Sequence, residues 1–259
     1  MDGPSTSPEG ALVSDANTTP RVALVTGGSG GIGRAVSERL AADGFAVAVH
    51  YGGNARRAGQ IVDEIVAGGG RAITVVGDVA DEVGMAEAFD SVEAEFGGLD
   101  VVVNTAGIMV LSPVASLDLA DLDRMHRTNV RGAFVVSRLA ANRLRRGGAL
   151  INVSTSQTRL QHPTYAAYAA SKAAVESLTL VLARELRGKD ITVNVIAPGP
   201  TATPLFLDGK DEHTVERLAG PAPLERLGTP EDIAEVAAFL AGPGRWINGQ
   251  VVFPNGGIA

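Results

Sequence analysis

A short apolar run that leads directly into a cluster of glycines constrains the fold of this chain more than any other feature. The run Val22-Ala23-Leu24-Val25 is followed by Thr26-Gly27-Gly28-Ser29-Gly30-Gly31-Ile32-Gly33 and then by a helical pattern through Leu40. The order of strand, glycine turn and helix lets backbone N–H groups approach a pyrophosphate at the positive end of the helix. The cluster fits two spacings, G-x-G-x-x-G on Gly28, Gly30 and Gly33, and T-G-x-x-x-G-x-G on Thr26, Gly27, Gly31 and Gly33. Either spacing alone also suits a flexible glycine loop without a ligand, so the rest of the chain has to decide.

Short β-branched runs alternate with helical patterns along the rest of the chain. Besides Val22–Val25, strands are predicted near Ala46–His50, Ala72–Gly77, Asp100–Val103, Ala149–Ser154, Ile191–Ile196 and Gln250–Phe253. Such alternation is typical of β-α-β units and of a parallel sheet that helices bury on both faces. We therefore predict an α/β fold, a doubly wound parallel sheet of Rossmann type with about seven strands, in a single domain over residues 21–259. Residues 1–20 have little apolar periodicity and are predicted to form a disordered N-terminal tail.

Composition excludes several classes of function. The chain has no cysteine, which excludes disulfides, thiolate catalysis and Cys-based metal sites, and its four histidines lack ligand spacing, so we expect no metal. A net charge of −7 argues against a nucleic-acid surface. Because no apolar run approaches the roughly 20 residues that cross a bilayer, and no secretory signal is recognisable, we expect a cytoplasmic protein.

Tyr168 and Lys172 stand four residues apart in an Ala-rich run from Tyr165 to Leu182 that predicts one long helix. Four residues are about one helical turn, so both side chains share a face. A lysine ammonium beside a phenol favours the phenolate, and we expect it to bring the pKa of Tyr168 from about 10 toward neutrality. The pair is then able to act as an acid or a base. The alternative is an interfacial tyrosine and a solvated lysine on an ordinary amphipathic helix.

Several further motifs occur in a fixed order after the glycine cluster. They are Asp78-Val79, Asn104-Thr105-Ala106-Gly107, Asn129-Val130-Arg131-Gly132, Tyr168 with Lys172, and Pro198-Gly199. With these motifs the chain resembles the short-chain dehydrogenase/reductase family over nearly everything after the tail. From Pro223 to Gly257 it is similar to the family's members of the 3-oxoacyl-carrier-protein reductase type.

The resemblance implies a role for each residue of the catalytic set. Tyr168 would protonate a substrate carbonyl oxygen, and Lys172 would lower the pKa of Tyr168 and bind the nicotinamide ribose. Asn129 would hold a water that connects Lys172 to solvent, although an Asn inside a helix also often bonds local backbone. An ungapped alignment from Tyr168 places Thr155 where the family generally has a serine that binds the substrate oxygen. Ser154 or Ser156 could take that place instead.

The segment after the second predicted strand bears on the choice of cofactor. It reads His50-Tyr51-Gly52-Gly53-Asn54-Ala55-Arg56-Arg57 and contains no carboxylate that could bind the ribose hydroxyls of NAD. Arg56 or Arg57, with Asn54, could instead meet a 2′-phosphate, so we expect NADP(H) in preference to NAD(H). Against this, Gly30 occupies a loop position where many NADP-using relatives carry an arginine, and Arg56 and Arg57 could simply be solvated residues of the next helix.

The resemblance also implies the remaining contacts to cofactor and substrate. Asp78 and Val79 are expected beside the adenine, although Asp78 could equally cap the next segment. The full cofactor-binding set comprises Gly27, Ser29, Gly31, Ile32, Gly33, Tyr51, Asn54, Arg56, Asp78, Val79, Asn104, Ala106, Gly107, Pro198, Gly199 and Thr201. The substrate pocket is expected to be lined by Ile108, Met109, Gln157, His162, Tyr165 and residues near Phe206.

Three other segments carry weaker expectations. Arg143, Arg145 and Arg146 precede Gly147-Gly148 and are read as cations in the last turn of a helix. Residues Asp208–Lys210 suggest a mobile substrate lid. Trp246 is expected to pack near the final strand at an oligomer contact, and the resemblance suggests a homotetramer.

Two hypotheses for the function follow. The first is an oxidoreductase that transfers a hydride between NADP(H) and a ketone or secondary alcohol, a carbonyl reductase of the 3-oxoacyl-reductase type with a small-molecule substrate. The alternative is a catalytically idle dinucleotide-binding protein that serves in sensing or assembly. The presence of Tyr168, Lys172 and Asn129 together favours the first.

Overall fold

The computed structural model describes residues 20–209 and 211–259, so almost all of the predicted tail, and Lys210 of the predicted lid, lie outside the described residues. The strands are β1 Val22–Thr26, β2 Ala46–Tyr51, β3 Arg71–Val76, β4 Leu99–Asn104, β5 Leu144–Val153, β6 Thr192–Ile196 and β7 Val251–Val252. They form one seven-stranded sheet in the order β3-β2-β1-β4-β5-β6-β7. Every pairing between neighbours is parallel. The predicted doubly wound α/β fold is confirmed.

Helices connect the strands and begin at polar caps in most cases. They are α1 Gly31–Ala42, α2 Ala55–Ala67, α3 Glu82–Phe96, α4 Leu119–Met125, α5 Gly132–Arg143, α6 Gln157–Leu160, α7 Ala166–Glu185, α8 Pro204–Leu207, α9 Glu212–Ala219 and α10 Pro230–Ala241. Asn54 caps α2, Asp81 caps α3, and Thr229 forms a capping box with Asp232 at α10. Between α4 and α5 the chain passes through a π-helical segment, His126–Arg131.

Two apolar cores lie on opposite faces of the sheet. Side chains of β1 alternate between them, so that Val22 and Leu24 face one core and Ala23 and Val25 face the other. Helices α3, α5 and α7 cover the first face, and α1, α2 and α10 cover the second. Because both faces are covered, the central strands are largely apolar, as the sequence pattern predicts.

The strand order reverses between β1 and β4. From β1 the sheet proceeds through β2 to β3 on one side and through β4 to β7 on the other. In open parallel sheets, ligands bind at the carboxyl ends of the strands where the order reverses. The glycine loop follows β1, and the segments that begin at Thr105, Ser154 and Ala197 follow β4, β5 and β6. All four therefore meet at the same edge.

Two of the weaker expectations are wrong. Arg145 and Arg146 do not lie in a helical turn, because α5 ends at Arg143 and β5 begins at Leu144, where it pairs with Leu99. Arg145 instead forms an ion pair with Asp100 of β4. Trp246 does not pack near the final strand, since its side chain is fully exposed. An oligomer contact at Trp246 stays a prediction.

Two features, a membrane-spanning helix and a metal site, are absent from the part of the chain that the structure describes. Within residues 20–209 and 211–259, no helix is long and apolar enough to cross a membrane. In the same part of the chain, no group of His, Asp and Glu side chains is arranged to hold a metal ion.

Candidate active site

The glycine loop is compact because its glycines allow close backbone contacts. Gly27 has φ +64°, in the left-handed region that favours glycine. A β carbon on Gly33 would lie 2.3 Å from the carbonyl oxygen of Gly27, so this position accepts no side chain without a shift of the backbone. The loop is closed by a bond from the N–H of Gly30 to the carbonyl of Gly27 at 3.0 Å. Ser29 lies at its tip, half-buried.

The start of α1 provides an uncapped set of amides at this loop. Gly30 occupies the cap position of α1 without a side-chain hydrogen bond. The N–H groups of Gly31, Ile32 and Gly33 belong to the first turn and so have no intrahelical acceptor. Such amides, together with the helix dipole, form an anion site. The loop and helix start therefore fit a pyrophosphate, as expected for a dinucleotide.

Next to the loop, the first turn of α2, which follows β2, carries two cations. Asn54 accepts a hydrogen bond from the N–H of Arg57 at 3.0 Å and so uses its oxygen to cap α2. Arg56 and Arg57 are exposed in the first turn of α2, and neither guanidinium has an ion pair or hydrogen bond within the described parts of the chain. Tyr51, the last residue of β2, is half-buried beside them. This corner combines positive charge with amide and hydroxyl groups.

Asp78 and Val79 follow β3 with different surroundings. Asp78 accepts hydrogen bonds from Arg127 at 2.5 Å and from the N–H of Ala80 at 2.9 Å. Although burial opposes ionisation, these bonds lower the pKa of Asp78 below its ordinary value. The side chain of Val79 is buried in the core against Gly132. Only its backbone is therefore left for a ligand.

Asn104 is a correction to the predicted cofactor set. Its Oδ1 accepts from the hydroxyl of Thr26 at 2.6 Å, and its Nδ2 donates to Oδ1 of Asn152 at 3.0 Å. Asn152 in turn donates to Thr179 of α7 at 3.1 Å. The Asn104 side chain thus joins β1, β4 and β5 inside the sheet and does not lie along a ribose. Ala106 and Gly107, which follow β4, are half-buried at the sheet edge.

A cavity of about 120 Å³ lies over the carboxyl ends of β4, β5 and β6. Tyr168 and Lys172, one turn apart on α7, form one wall, and the cavity is completed by the loops after β4 and β5 and by the segment 198–206. Predicted residues on its lining are Ile32, Gly107, Met109, Thr155, Gln157, Tyr165, Tyr168, Lys172, Pro198, Gly199, Thr201 and Phe206.

Thr155 and Tyr168 line the same cavity. The Thr155 hydroxyl is close enough to the Tyr168 phenol to favour its ionised form. Ser154 donates to Oε1 of Glu176 at 2.6 Å, and Ser156 donates to the carbonyl of Ala197 at 2.9 Å. Both serines are buried and engaged in the scaffold. Of the three residues left open by the sequence, the geometry favours Thr155 as a partner of a substrate oxygen.

The expected lowering of the Tyr168 pKa is wrong for this arrangement of side chains. Burial, and then the neighbouring Tyr165, raise the pKa of Tyr168 to about 12, while Thr155 acts in the opposite direction. Lys172 donates from Nζ to the carbonyl of Val153 at 2.8 Å, and Nζ lies 5.9 Å from the centre of the Tyr168 ring. Burial lowers the pKa of Lys172 to about 8. The ammonium therefore does not offset the desolvation of the phenol.

Asn129 binds a neighbouring loop, which neither sequence interpretation anticipated. Its Oδ1 accepts from the N–H of Ile108 at 2.9 Å, and its Nδ2 donates to the carbonyl of Ile108 at 2.9 Å and to Ser171 at 3.0 Å. A β carbon on Gly107 would lie 3.2 Å from both Asn129 Oδ1 and Lys172 Nζ. Asn129 thus fixes the loop after β4 against the helix that carries Tyr168.

His162 is a second correction, because it does not line the cavity. It is exposed, with Nδ1 at 3.0 Å from Nε2 of Gln157 and its ring edge-on to Tyr165. Gln157 and Tyr165 do line the cavity, so His162 acts on it only through them. Ile108 also lies outside the lining.

Sequence reasoning did not name Leu160 and Thr203, which line the cavity, whereas Leu205 is one of the expected residues near Phe206. The dipeptide Thr203-Pro204 is a signal for a helix start, and it places Leu205 and Phe206 in the short α8 at the mouth.

Comparison with known proteins places the chain in a family. A family model described as enoyl-(acyl carrier protein) reductase matches residues 27–259. A short-chain type dehydrogenase/reductase of Picea abies is 45% identical over 248 residues, which are 92% of each chain. An NADPH-dependent aldehyde reductase-like protein, chloroplastic, of Arabidopsis thaliana is 41% identical over 252 residues, covering 92% of this chain and 93% of the relative.

A solved structure gives the same result. The crystal structure of a short chain dehydrogenase from Burkholderia cenocepacia J2315 in complex with NADP is 41% identical, with a TM-score of 0.86, and the match covers 93% of this chain and 99% of that chain. The structure agrees with these matches. The glycine loop lies where the strand order reverses, and Tyr168 and Lys172 lie one turn apart at the carboxyl edge of the sheet. The chain belongs to the short-chain dehydrogenase/reductase family of oxidoreductases.

Proposed function

We propose that this protein is an NADP(H)-dependent carbonyl reductase that interconverts a ketone and a secondary alcohol. The observation that carries the proposal is that the hydroxyls of Thr155 and Tyr168 lie on the wall of one cavity next to the glycine loop. Two hydroxyls on one cavity wall are able to bind a single carbonyl oxygen. A bound nicotinamide would supply the hydride.

Tyr168 serves as the acid. Because burial raises its pKa to about 12, the phenol keeps its proton at neutral pH. A protonated phenol donates to the carbonyl oxygen as negative charge develops there, which favours reduction over oxidation at this pH. Thr155 donates a second hydrogen bond to the same oxygen and orients it.

Lys172 and Asn129 support this donor. Lys172 is buried beneath the cavity, where its charge stabilises negative charge on the phenol oxygen once the proton has left. Asn129 holds the backbone of Ile108 and the hydroxyl of Ser171, and so fixes the spacing between the loop after β4 and α7. Lys172 lies one helical turn from Tyr168 on the cavity wall, whereas Asn129 acts through its neighbours.

The preference for NADP(H) rests on the corner at the end of β2. Arg56 and Arg57 are unpaired within the described residues and face no carboxylate in the segment from His50 to Arg57. A guanidinium matches the 2′-phosphate that distinguishes NADP from NAD. One relative is named as NADPH-dependent, and one similar structure contains NADP.

A substrate panel tests the proposal. Ketones, aldehydes, a 3-oxoacyl thioester and a trans-2-enoyl thioester are incubated with NADPH or NADH, and NADPH oxidation is followed for wild type, Tyr168→Phe, Thr155→Ala and Ser156→Ala. We expect turnover of carbonyls with NADPH, and a loss of about 10²- to 10⁴-fold in kcat for Tyr168→Phe. We expect Thr155→Ala to lose turnover and Ser156→Ala to retain it if it folds.

Three outcomes would contradict the proposal. Turnover of the enoyl thioester alone would make the protein a C=C reductase. NADPH binding without turnover of any carbonyl would favour the idle alternative. Full activity of Tyr168→Phe would remove the assigned acid.

A further inference from the structure

His50 is a buried titratable residue that the proposed chemistry does not use. It is the fifth residue of β2 and is 2% exposed. Its carbonyl oxygen accepts a hydrogen bond from the N–H of Gly28 at 2.9 Å, and its ring Nδ1 accepts one from the N–H of Gly27 at 3.3 Å. A single residue thus holds two consecutive amides of the glycine loop.

The bond to Gly27 fixes the state of the ring. A nitrogen that accepts from an N–H carries no proton, so the imidazole is neutral and its proton is on Nε2. Nε2 is buried and has no hydrogen-bond partner among the described residues. It faces the turn after β3, where a β carbon on Gly77 would lie 3.4 Å away.

If packing were the only role of this position, an apolar side chain would have a lower free-energy cost of burial. Burial of an N–H without a partner costs free energy, whereas leucine would fill a similar space without that cost. What leucine lacks is an acceptor for the N–H of Gly27. That N–H belongs to a residue at φ +64°, whose conformation sets the curvature of the loop.

We propose that His50 is a positioning residue for the cofactor, whose neutral ring holds the N–H of Gly27 and thereby fixes the glycine loop in the curvature that receives a pyrophosphate. The inference rests on the proposed function, since it assigns the loop to a dinucleotide. It predicts an effect on cofactor affinity and little effect on the chemical step, which occurs at the other end of the crevice.

Protonation of the ring would break the contact. An imidazolium has N–H groups at both nitrogens, so its Nδ1–H would face the N–H of Gly27. The charged groups near the ring are the carboxylate of Asp78, in the turn after β3, and its partner Arg127, in the π-helical segment. Burial outweighs the favourable effects of the Gly77 backbone and of Asp78, and lowers the pKa of His50 to about 4. The contact is therefore maintained at neutral pH and is lost as the pH falls through about 4.

Two substitutions at His50 distinguish the loss of the hydrogen-bond acceptor from a change in side-chain volume. In His50→Asn, the side-chain oxygen can take the place of Nδ1, whereas His50→Leu fills the space without an acceptor. His213→Leu, at an exposed histidine of α9, is the matched control. The dissociation constant for NADPH is measured at pH 7 by fluorescence titration, with circular dichroism as a check on folding.

We expect His50→Leu to weaken NADPH binding about tenfold, the effect of one hydrogen bond, and to raise KM for NADPH with kcat within about twofold of wild type. We expect His50→Asn to stay within about threefold of wild type, and His213→Leu to be unchanged. Unchanged affinity in His50→Leu, or equal losses in His50→Leu and His50→Asn, would overturn the proposal.

A second measurement applies to the wild-type protein and does not require a folded variant. Nitrogen NMR of the imidazole rings reports which nitrogen carries the proton. We expect a neutral ring with its proton on Nε2, and a proton on Nδ1 at pH 7 would refute the assignment. If wild type does not bind NADPH, the proposed function fails, while the ring measurement still decides the contact with Gly27.

Discussion

Tyr168 and Lys172 have pKa values that depart from their ordinary values in opposite directions. Burial raises the pKa of Tyr168 to about 12 and lowers that of Lys172 to about 8. Both shifts have the same cause, because desolvation disfavours the charged form of each group. At neutral pH the cavity therefore holds a protonated phenol above a lysine that is still cationic.

The pH dependence of ketone reduction follows from these shifts. As the pH rises through about 8, Lys172 loses its charge while Tyr168 remains protonated. We expect kcat/KM for reduction to fall above about pH 8, because the charge that stabilises the developing phenolate disappears. The measurement is a pH–rate profile at saturating NADPH, with thermal melts at each pH as a control for folding. A rate that stays constant up to pH 10 would show that the charge of Lys172 is not needed.

The surroundings of a side chain determine whether its role could be predicted from the sequence. Spacing placed Tyr168, Lys172 and Thr155 together, because a helical turn and an ungapped register are local properties. The pKa of Tyr168 and the orientations of Asn104 and His162 were not predictable in this way. They depend on desolvation and on partners from distant segments, such as Asn152 for Asn104 and Gln157 for His162.

At the scale of elements, the π-helical segment His126–Arg131 stands out between α4 and α5. Such segments are rare and are often found at functional sites. Here the segment carries Asn129, with its side chain directed to Ile108 and Ser171. The irregular turn thus joins the loop after β4 to the catalytic helix.

Removal of the Asn129 side chain tests this connection. Asn129→Ala leaves the N–H of Ile108 without its acceptor in a partly buried site, so we expect the loop after β4 to shift. Because a displacement of about 1 Å can cost about 10²-fold in rate, we expect a loss of that order in kcat/KM for ketone reduction. Asn142→Ala, at an exposed asparagine of α5, is the control and should lie within twofold of wild type. Equal activity of the two variants would exclude a positioning role for Asn129.

Element types were predictable to a large extent, and their boundaries and irregularities less so. All seven strands and helix α7 coincide with apolar runs and with the Ala-rich segment, since buried parallel strands and helices leave strong local patterns. The π-helical segment leaves none, because its hydrogen-bond register is set by packing. The arginines after α5 show that the end of a helix is hard to predict. Gly147-Gly148 suggests that a helix ends there, but β5 has already begun at Leu144, which pairs with Leu99.

At the scale of the whole molecule, the cofactor should stabilise the fold by mass action. NADPH at 100 times its dissociation constant would add about 2.7 kcal/mol to the free energy of unfolding. For a chain of this size, 1 kcal/mol shifts the melting temperature by roughly 2–4 °C. We therefore expect an increase of at least about 5 °C, and a smaller one with NADH at the same concentration.

The double variant Arg56→Ala, Arg57→Ala is the matched test of the phosphate corner. It should reduce the shift with NADPH to the shift with NADH and leave the latter unchanged, because NADH has no 2′-phosphate. Differential scanning fluorimetry measures both shifts. A larger shift with NADH than with NADPH in the wild type would reverse the assigned preference.

The position of β1 between β2 and β4 has a consequence for the order in which the protein is made. The partner of the Thr26 hydroxyl, Asn104, lies 78 residues further along the chain, and β5 and α7 follow later still. On a ribosome, β1 can pair with β2, and β2 with β3, long before β4 emerges, whereas contacts between distant segments form slowly. A nascent chain therefore has its glycine loop early but no crevice beside it. A coenzyme can therefore bind only when nearly the whole polypeptide has been made. Its binding stabilises the completed fold and has no effect on the strands that form first.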